Sequence, residues 1–256
     1  MEDLTGIDRL KSIVGRLRGP GGCPWDIEQT HETLRPLLVE ECYELIDAIE
    51  RSDDANLCEE LGDVLLHVVM HSQMAEERGV FNFDTVAGTV SDKMIRRHPH
   101  VFGDSQASDV SQVLGQWERI KREEKGEPTK SNLDGIAAAL PALLKAQAVQ
   151  KKAARVGFDW PDIDPVYAKI EEETGEIREA VEGGDNGEIE GEIGDLLFSV
   201  VNLARKLGVD AEMALAGSIK RFTERFQKIE CALAIDGRRV EDAKLEELDR
   251  IWEQSK

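Results

Sequence analysis

Strands are the first thing missing from this sequence. Aromatic residues make up only 5% of the chain, and apolar–polar alternation is scarce. That sets a β-sandwich or β-barrel aside. No apolar run approaches the roughly 18 residues that a membrane-spanning helix requires. The opening MEDLTGIDRLKSIVGRLRG has neither an apolar h-region nor a cleavage signature. The four cysteines, Cys23, Cys42, Cys58 and Cys231, form no CxxC pair or tight framework. They are expected to be reduced thiols of a cytoplasmic protein. Positive charge is short as well. A formal net charge of −20 argues against nucleic acid or an anionic membrane as the main partner, and a polyanionic substrate would need metal ions and a few local Lys or Arg. The loop GPGGCP at 19–24 has no Gly-Lys-Ser/Thr, so it is not a P-loop.

What the chain does have is acid in a repeated register. Glu40, Glu41 and Glu44 are answered by Glu60 and Asp63, and adding 132 to each number gives Glu172, Glu173, Glu176, Glu192 and Asp195. Five such matches in one register arise by chance about once in a few thousand trials. Many registers could be searched, and the apolar context adds to the case: LGDVLL in the first half stands against IGDLLF in the second. Helical spacing of apolar residues predicts helices over 4–18, 30–49, 54–77 and 84–97, then a stretch around Trp117. The charged run 121–134 reads as a boundary. Beyond it the plan repeats, with helical character on both sides of Pro141, then over 164–182, through EIEGEIGDLLFSVVNLARKL, through VDAEMALAGSIKRFTERFQKIECAL, and around Trp252. The fold class expected is all-α. It has two tandem helical modules, 1–125 and 135–256, joined by a linker at 126–134. Because LGDVLLHVVM is apolar almost all round, its helix is expected to be buried on most sides. Gly62 and Gly194, in mid-helix, suggest close approach by a neighbouring backbone.

Spacings of three and four place Glu40, Glu41 and Glu44 on one side of a helix, and Glu60 and Asp63 on one side of the next. Set antiparallel, the two helices bring together carboxylates that repel strongly unless cations lie between them. All-oxygen ligands suit hard ions, Mg²⁺ first and Mn²⁺ as a substitute. Lys93 and Arg97, like Arg221 and Arg225, are basic pairs four apart, fit to hold phosphate. The combination points to hydrolysis of a phosphoanhydride. An EExxE run alone is more often a solvated helix face; its pairing with ExxD on an apolar helix, and its duplication, favour the functional reading. The four tryptophans are more readily core residues than stacking platforms, with stacking plausible for one per half. His67 and His71, four apart below Asp63, form a candidate metal pair, but the second half has Ser199 and Leu203 there. A di-iron carboxylate bundle wants Glu-x-x-His on two of its helices, and neither acid-bearing helix of the first half carries one.

These residues resemble the MazG nucleotide pyrophosphohydrolases of the all-α NTP pyrophosphatase superfamily. GCPWDIEQT, EECYELIDAIE, EELGDVLLHVVMHSQMAEE and KMIRRHPHVFGD are similar to the N-terminal MazG module; KAARVGFDW, EIGDLLFSVVNLAR and the Arg221–Arg225 segment are similar to the C-terminal one. The resemblance covers nearly the whole chain. It implies Mg²⁺-dependent hydrolysis of NTPs and dNTPs between the α and β phosphates, giving monophosphate and pyrophosphate. Carried over, Glu173, Glu176, Glu192 and Asp195 hold the metal, with Glu41, Glu44, Glu60 and Asp63 as first-half counterparts. Lys169, Glu172, Arg221, Arg225 and Trp252 contact the nucleotide, and Lys93 and Arg97 take phosphate in the first half. Glu172 and Glu173 are both candidates for the general base. The family often has Lys where this chain has Arg221, which bears on fine specificity. The resemblance also implies a homodimer in which like modules pair to close a four-helix core. Two alternatives stay open: a base-selective dUTPase- or dCTPase-like pyrophosphatase, and a non-catalytic nucleotide-binding bundle.

Overall fold

The computed structural model describes residues 4–124 and 131–255. Among them are twelve α-helices, one short 3₁₀ turn at Val240–Asp242, and no strand. The contacts close into two units, Met1–Gly126 and Glu127–Lys256. Part of the expected linker, 126–130, lies outside the described residues; 131–134 form a turn in which Asp134 accepts the Ser131 N–H at 3.1 Å.

Unit 1 contains α1 (Gly6–Arg18), α2 (Pro24–Glu28), α3 (Arg35–Arg51), α4 (Asp54–Glu77), α5 (Phe83–Arg97), α6 (Pro99–Phe102) and α7 (Val110–Glu123). Its core is Val14 of α1, Leu34, and Val69, Met70 and Met74 of α4. The second helix was expected from residue 30 and begins at 35. Thr30 Oγ1 instead accepts the N–H groups of Glu32 and Thr33 in a local turn, a side-chain bond that competes with helix. Pro36, at the start of α3, needs no N–H partner there. Arg18 staples the loop after α1. It donates to the carbonyls of Asp26 and Gln29 and forms a bidentate pair with Glu77 at 2.9 and 2.8 Å.

Unit 2 contains α8 (Ala142–Arg155), α9 (Asp164–Gly183), α10 (Asn186–Lys206), α11 (Ala211–Ile235) and α12 (Leu245–Gln254). Only the residues after Pro141 are helical in the segment expected to be helical on both sides of it. The residue before a proline is pushed out of the α region, so the helix starts afresh beyond it. Gln147 ties α8 to the start of α11, donating to Val209 O at 2.9 Å and accepting the Ala211 N–H at 3.1 Å.

Two expectations about packing are corrected. The LGDVLL helix is not buried on most sides: Leu61, Leu65 and Val68 are exposed, as are Ile193, Leu197 and Val200 in the second copy. Each helix is covered on one face only, because each unit supplies too few helices to enclose it. Nor do Gly62 and Gly194 mark a close approach, since a Cβ at either would meet nothing within 4 Å.

Candidate active site

Each unit builds its acid cluster on a helical hairpin. In unit 2, Gly184 ends α9 in the left-handed region at φ 74°, and Asp185 caps α10 by accepting the N–H groups of Gly187 and Glu188. In unit 1 the same turn is made by Ser52 at φ 53°, a conformation that costs a non-glycine residue more, and by Asp53, which accepts the Asn56 N–H. The tight turn sets the register. Counting back and forward from it, Glu176 comes level with Glu192 and Glu173 with Asp195; likewise Glu44 with Glu60 and Glu41 with Asp63.

Carboxylate oxygens of Glu173, Glu176 and Glu192 lie within 4.8 Å of one another, and so do those of Glu41, Glu60 and Asp63. Burial raises the Glu176 carboxyl above its ordinary range, and the Glu192 charge adds to this while Lys169 opposes it. In unit 1, burial and then the charges of Asp63 and Glu44 raise Glu41, and burial and then Glu44 raise Glu60. Such a set fits one hard cation. Ligands at about 2.1 Å in an octahedron stand about 3–4.2 Å apart, inside the observed spread, and three carboxylates leave positions for phosphate and water. Glu44 and Asp195 stand outside the triads. Glu44 still acts on both Glu41 and Glu60, and Asp195 lines a cavity of about 330 Å³ with Trp160, Lys169, Glu173, Phe198, Ser199 and Asn202.

The two clusters differ in one counter-charge. Lys169 Nζ lies 2.8 Å from Glu172 and 2.7 Å from Glu173, and these bonds push its pKa up. Glu173 is buried, 3% exposed, so the ammonium offsets a charge that water does not reach. The equivalent position in unit 1 is Leu37, packed against the core. Subtracting 132 from Lys169 would have shown this in the sequence.

The basic residues are not joined to the acids. Arg221 donates to Ser218 at 2.8 Å, Arg225 lies over the Trp252 ring at 5.5 Å, and Trp252 packs on Phe222. No ion pair links either arginine to the triad among the described residues. In unit 1, Arg97 is held by Glu124 at 2.6 Å and lies over Trp117 at 5.2 Å, while Lys93 makes no ion pair among the described residues. The Arg97 guanidinium, with Arg96, holds the Glu124 carboxyl below its usual range. The histidines also pair with each other. His31 and His71 share a hydrogen bond of 2.8 Å between their Nδ1 atoms in parallel rings. Their centroids lie 5.1 Å apart, so the bond runs along the line joining the rings. No group of three metal-ligating side chains among the described residues includes a histidine.

A model of the MazG nucleotide pyrophosphohydrolase domain matches residues 29–102 and 164–229, the segments that carry the two hairpins. The chain belongs to the MazG nucleotide pyrophosphohydrolase family. The protein is 50% identical to the nucleoside triphosphate pyrophosphohydrolase/pyrophosphatase MazG of Thermotoga maritima, over 97% of this chain and 95% of that protein. To the nucleoside triphosphate pyrophosphohydrolase of Escherichia coli K12 it is 48% identical, over 99% and 98%. To the enzyme of the same name from Mycolicibacterium smegmatis it is 32% identical, over 93% of this chain and 63% of that protein. Both MazG matches enclose a full acid set, so family membership extends to each unit. Missed in the sequence were Phe198 and Asn202, which line the acid cavity from α10, and the clamp of Asp159 by Arg205 and Lys206.

Proposed function

We propose that this chain, a nucleoside triphosphate pyrophosphohydrolase of the MazG family, cleaves NTPs and dNTPs to monophosphate and pyrophosphate at the unit 2 triad with Mg²⁺ as cofactor. The observation that carries the reading is the convergence of Glu173, Glu176 and Glu192 within 4.8 Å, with Lys169 bonded beside them. Bound there, Mg²⁺ neutralises phosphate charge and acidifies water, chemistry that carboxylates alone do not supply. Lys169 is the cation at the cavity, placed to meet a phosphate oxygen when it leaves Glu172. Glu172 is exposed and outside the triad, which leaves it to accept the proton of the attacking water. Oxygen bonds to the α-phosphorus, the bond from that phosphorus to the bridging oxygen breaks, and pyrophosphate departs with the electron pair. Asp195 completes the ligand set from the cavity wall.

Unit 1 has the acids without the ammonium, so we infer that unit 2 is the faster site. The exposed apolar faces of α3, α4, α10 and α11 support a homodimer that pairs like modules and closes each four-helix core; Arg221, Arg225 and Trp252 then meet the nucleotide in the assembled enzyme. The four free cysteines suit a reducing cytoplasm. No helix among the described residues is long and apolar enough to cross a membrane.

Product analysis tests the reading. Each NTP and dNTP is incubated with the protein, with and without Mg²⁺, beside Glu176→Gln and Glu44→Gln. The expected result is monophosphate plus pyrophosphate, lost without Mg²⁺ and lost in Glu176→Gln. Diphosphate plus phosphate would move the cut to the γ position and overturn the mechanism.

A further inference from the structure

Unit 1 carries a carboxylate on its own basic cluster. Lys93, Arg96 and Arg97 are spaced i, i+3, i+4 on α5 and so share one side of it. α7 packs against α5. Glu124 follows α7 by one residue, its N–H still donating to Ile120 O at 2.9 Å, so it lies two turns beyond Trp117 on the same face. Four N–H donors grip its carboxylate. Arg96 meets Oε1 through Nε at 3.2 Å and Nη2 at 3.1 Å, and Arg97 meets Oε2 through Nε at 3.0 Å and Nη2 at 2.6 Å. Converging donors from two guanidinium groups are also what holds the oxygens of a phosphate. The Arg97 and Glu124 side chains are only 15% and 21% exposed. Arg97 first, then Arg96, keep the carboxyl below its usual range, so it is charged at neutral pH.

Unit 2 has the same arginine without the carboxylate. Arg225 lies over Trp252 at 5.5 Å as Arg97 lies over Trp117 at 5.2 Å, and no carboxylate pairs with Arg225 among the described residues. The charges in unit 1 do not balance either. Two guanidinium groups face one carboxylate, and Lys93 beside them makes no ion pair among the described residues. A polyphosphate brings more charge and more oxygens to the same donors. A tethered carboxylate competes at an effective concentration in the roughly millimolar range, enough to hold the site against weakly bound anions.

We propose that Glu124 is a built-in competitor of phosphate: it occupies the Arg96–Arg97 pair of unit 1 and keeps that site closed until a polyphosphate, either free pyrophosphate or the tail of a nucleotide, displaces it. The proposal rests on reading the unit 1 acids and bases as a second phosphate site. It gives unit 1 a second handicap beside the missing ammonium. Displacement also frees the end of α7 from α5.

The test is a titration of the full chain, in Mg²⁺, followed by the side-chain Nε–H NMR signals of Arg96 and Arg97, which report unit 1 alone. The two probes are inorganic pyrophosphate and a non-hydrolysable α,β-methylene ATP analogue. Wild type, Glu124→Gln and Glu123→Gln are compared; the last makes the same charge change one residue away. Glu124→Gln is expected to lower the half-saturating concentration about tenfold, and Glu123→Gln by less than about twofold. In wild type, ligand should also speed hydrogen exchange at the end of α7. Tightening with either probe supports the latch, and the probe that binds more tightly names its source. Equal half-saturation in wild type and Glu124→Gln, or equal tightening in Glu123→Gln, overturns it. Arginine signals that move without a Glu124 effect would keep the phosphate site and remove the latch. Signals that no ligand moves in any of the three proteins would remove both. Should Glu124→Gln not fold, Glu124→Asp keeps the charge, loses the reach to both guanidinium groups, and is expected to give part of the gain; no gain there overturns the latch as well.

Discussion

Replacing Asp159 by alanine removes the clamp between the Phe158–Trp160 turn and α10. Asp159 holds Arg205 at 2.6 Å and Lys206 at 2.9 Å, with side-chain exposures of 23%, 11% and 15% for the three residues. Removing one partner of a buried pair costs about 3–5 kcal/mol, whereas a fully exposed pair is worth about 0–1 kcal/mol. With roughly a quarter of the carboxylate open to water, the expectation lies between, at about 2–3 kcal/mol. In a unit of this size that lowers the melting midpoint by about 10 °C. Calorimetry, with hydrogen exchange of α8 and α10 to assign the loss to unit 2, measures it. The pH dependence adds a second test. Hydrogen bonds from Arg205 and Lys206 hold the Asp159 carboxyl below its ordinary pKa. The clamp is therefore complete above the unfolded-state value of about 3.9 and is lost as pH falls through the lower folded value. The gap between wild type and Asp159→Ala should be constant from neutral pH down to about 5 and shrink below about 4. A loss of less than about 0.5 kcal/mol, or a gap that does not move in acid, would show that the clamp is a solvated surface contact and that the turn is held otherwise.

Two further outcomes are expected. Mg²⁺ should stabilise the folded protein by about 2.7 kcal/mol at a hundred times its dissociation constant, read as a rise in melting temperature. Glu176→Gln should lose most of the unit 2 rise; an equal rise in both proteins would place the ion elsewhere. Because the folded Glu176 carboxyl titrates above its unfolded value, metal-free stability should decline as pH rises through that interval, and Glu176→Gln should flatten the decline. In unit 1, burial lowers the His71 pKa, with the charges of His31 and His67 adding to it. Its contribution is present above the unfolded value of about 6.5 and is lost as pH falls below it. His71→Gln should therefore narrow the difference in unit 1 stability between pH 7 and pH 5; an unchanged difference would assign the acid sensitivity to other groups.

The helical architecture and the paired acids were legible in the sequence because each depends on spacing within one helix. Glu40, Glu41 and Glu44 must share a side wherever their helix lies, and the helices expected from 54 and 188 begin at Asp54 and Asn186. The start of α3 was read five residues early, since the Thr30 side chain competes with the helix for backbone N–H groups. What surrounds a helix is another matter. Periodicity marks a face as apolar but cannot say whether the unit has enough helices to cover it, so LGDVLL was expected to be buried and is half open. The same limit explains Gly62 and Gly194: a missing Cβ is visible in the letters, and the empty space beside it is not. Charge pairing across elements was equally hidden. That Arg97 is taken by Glu124 and Asp159 by Arg205 depends on which side chains come within about 4 Å in the folded chain. The sequence by itself determined the two hairpins and the carboxylates they bring level. Only the tertiary structure decided which of those carboxylates meet and that an aromatic cavity opens beside the acids of unit 2, because these depend on contacts between separate elements of the chain.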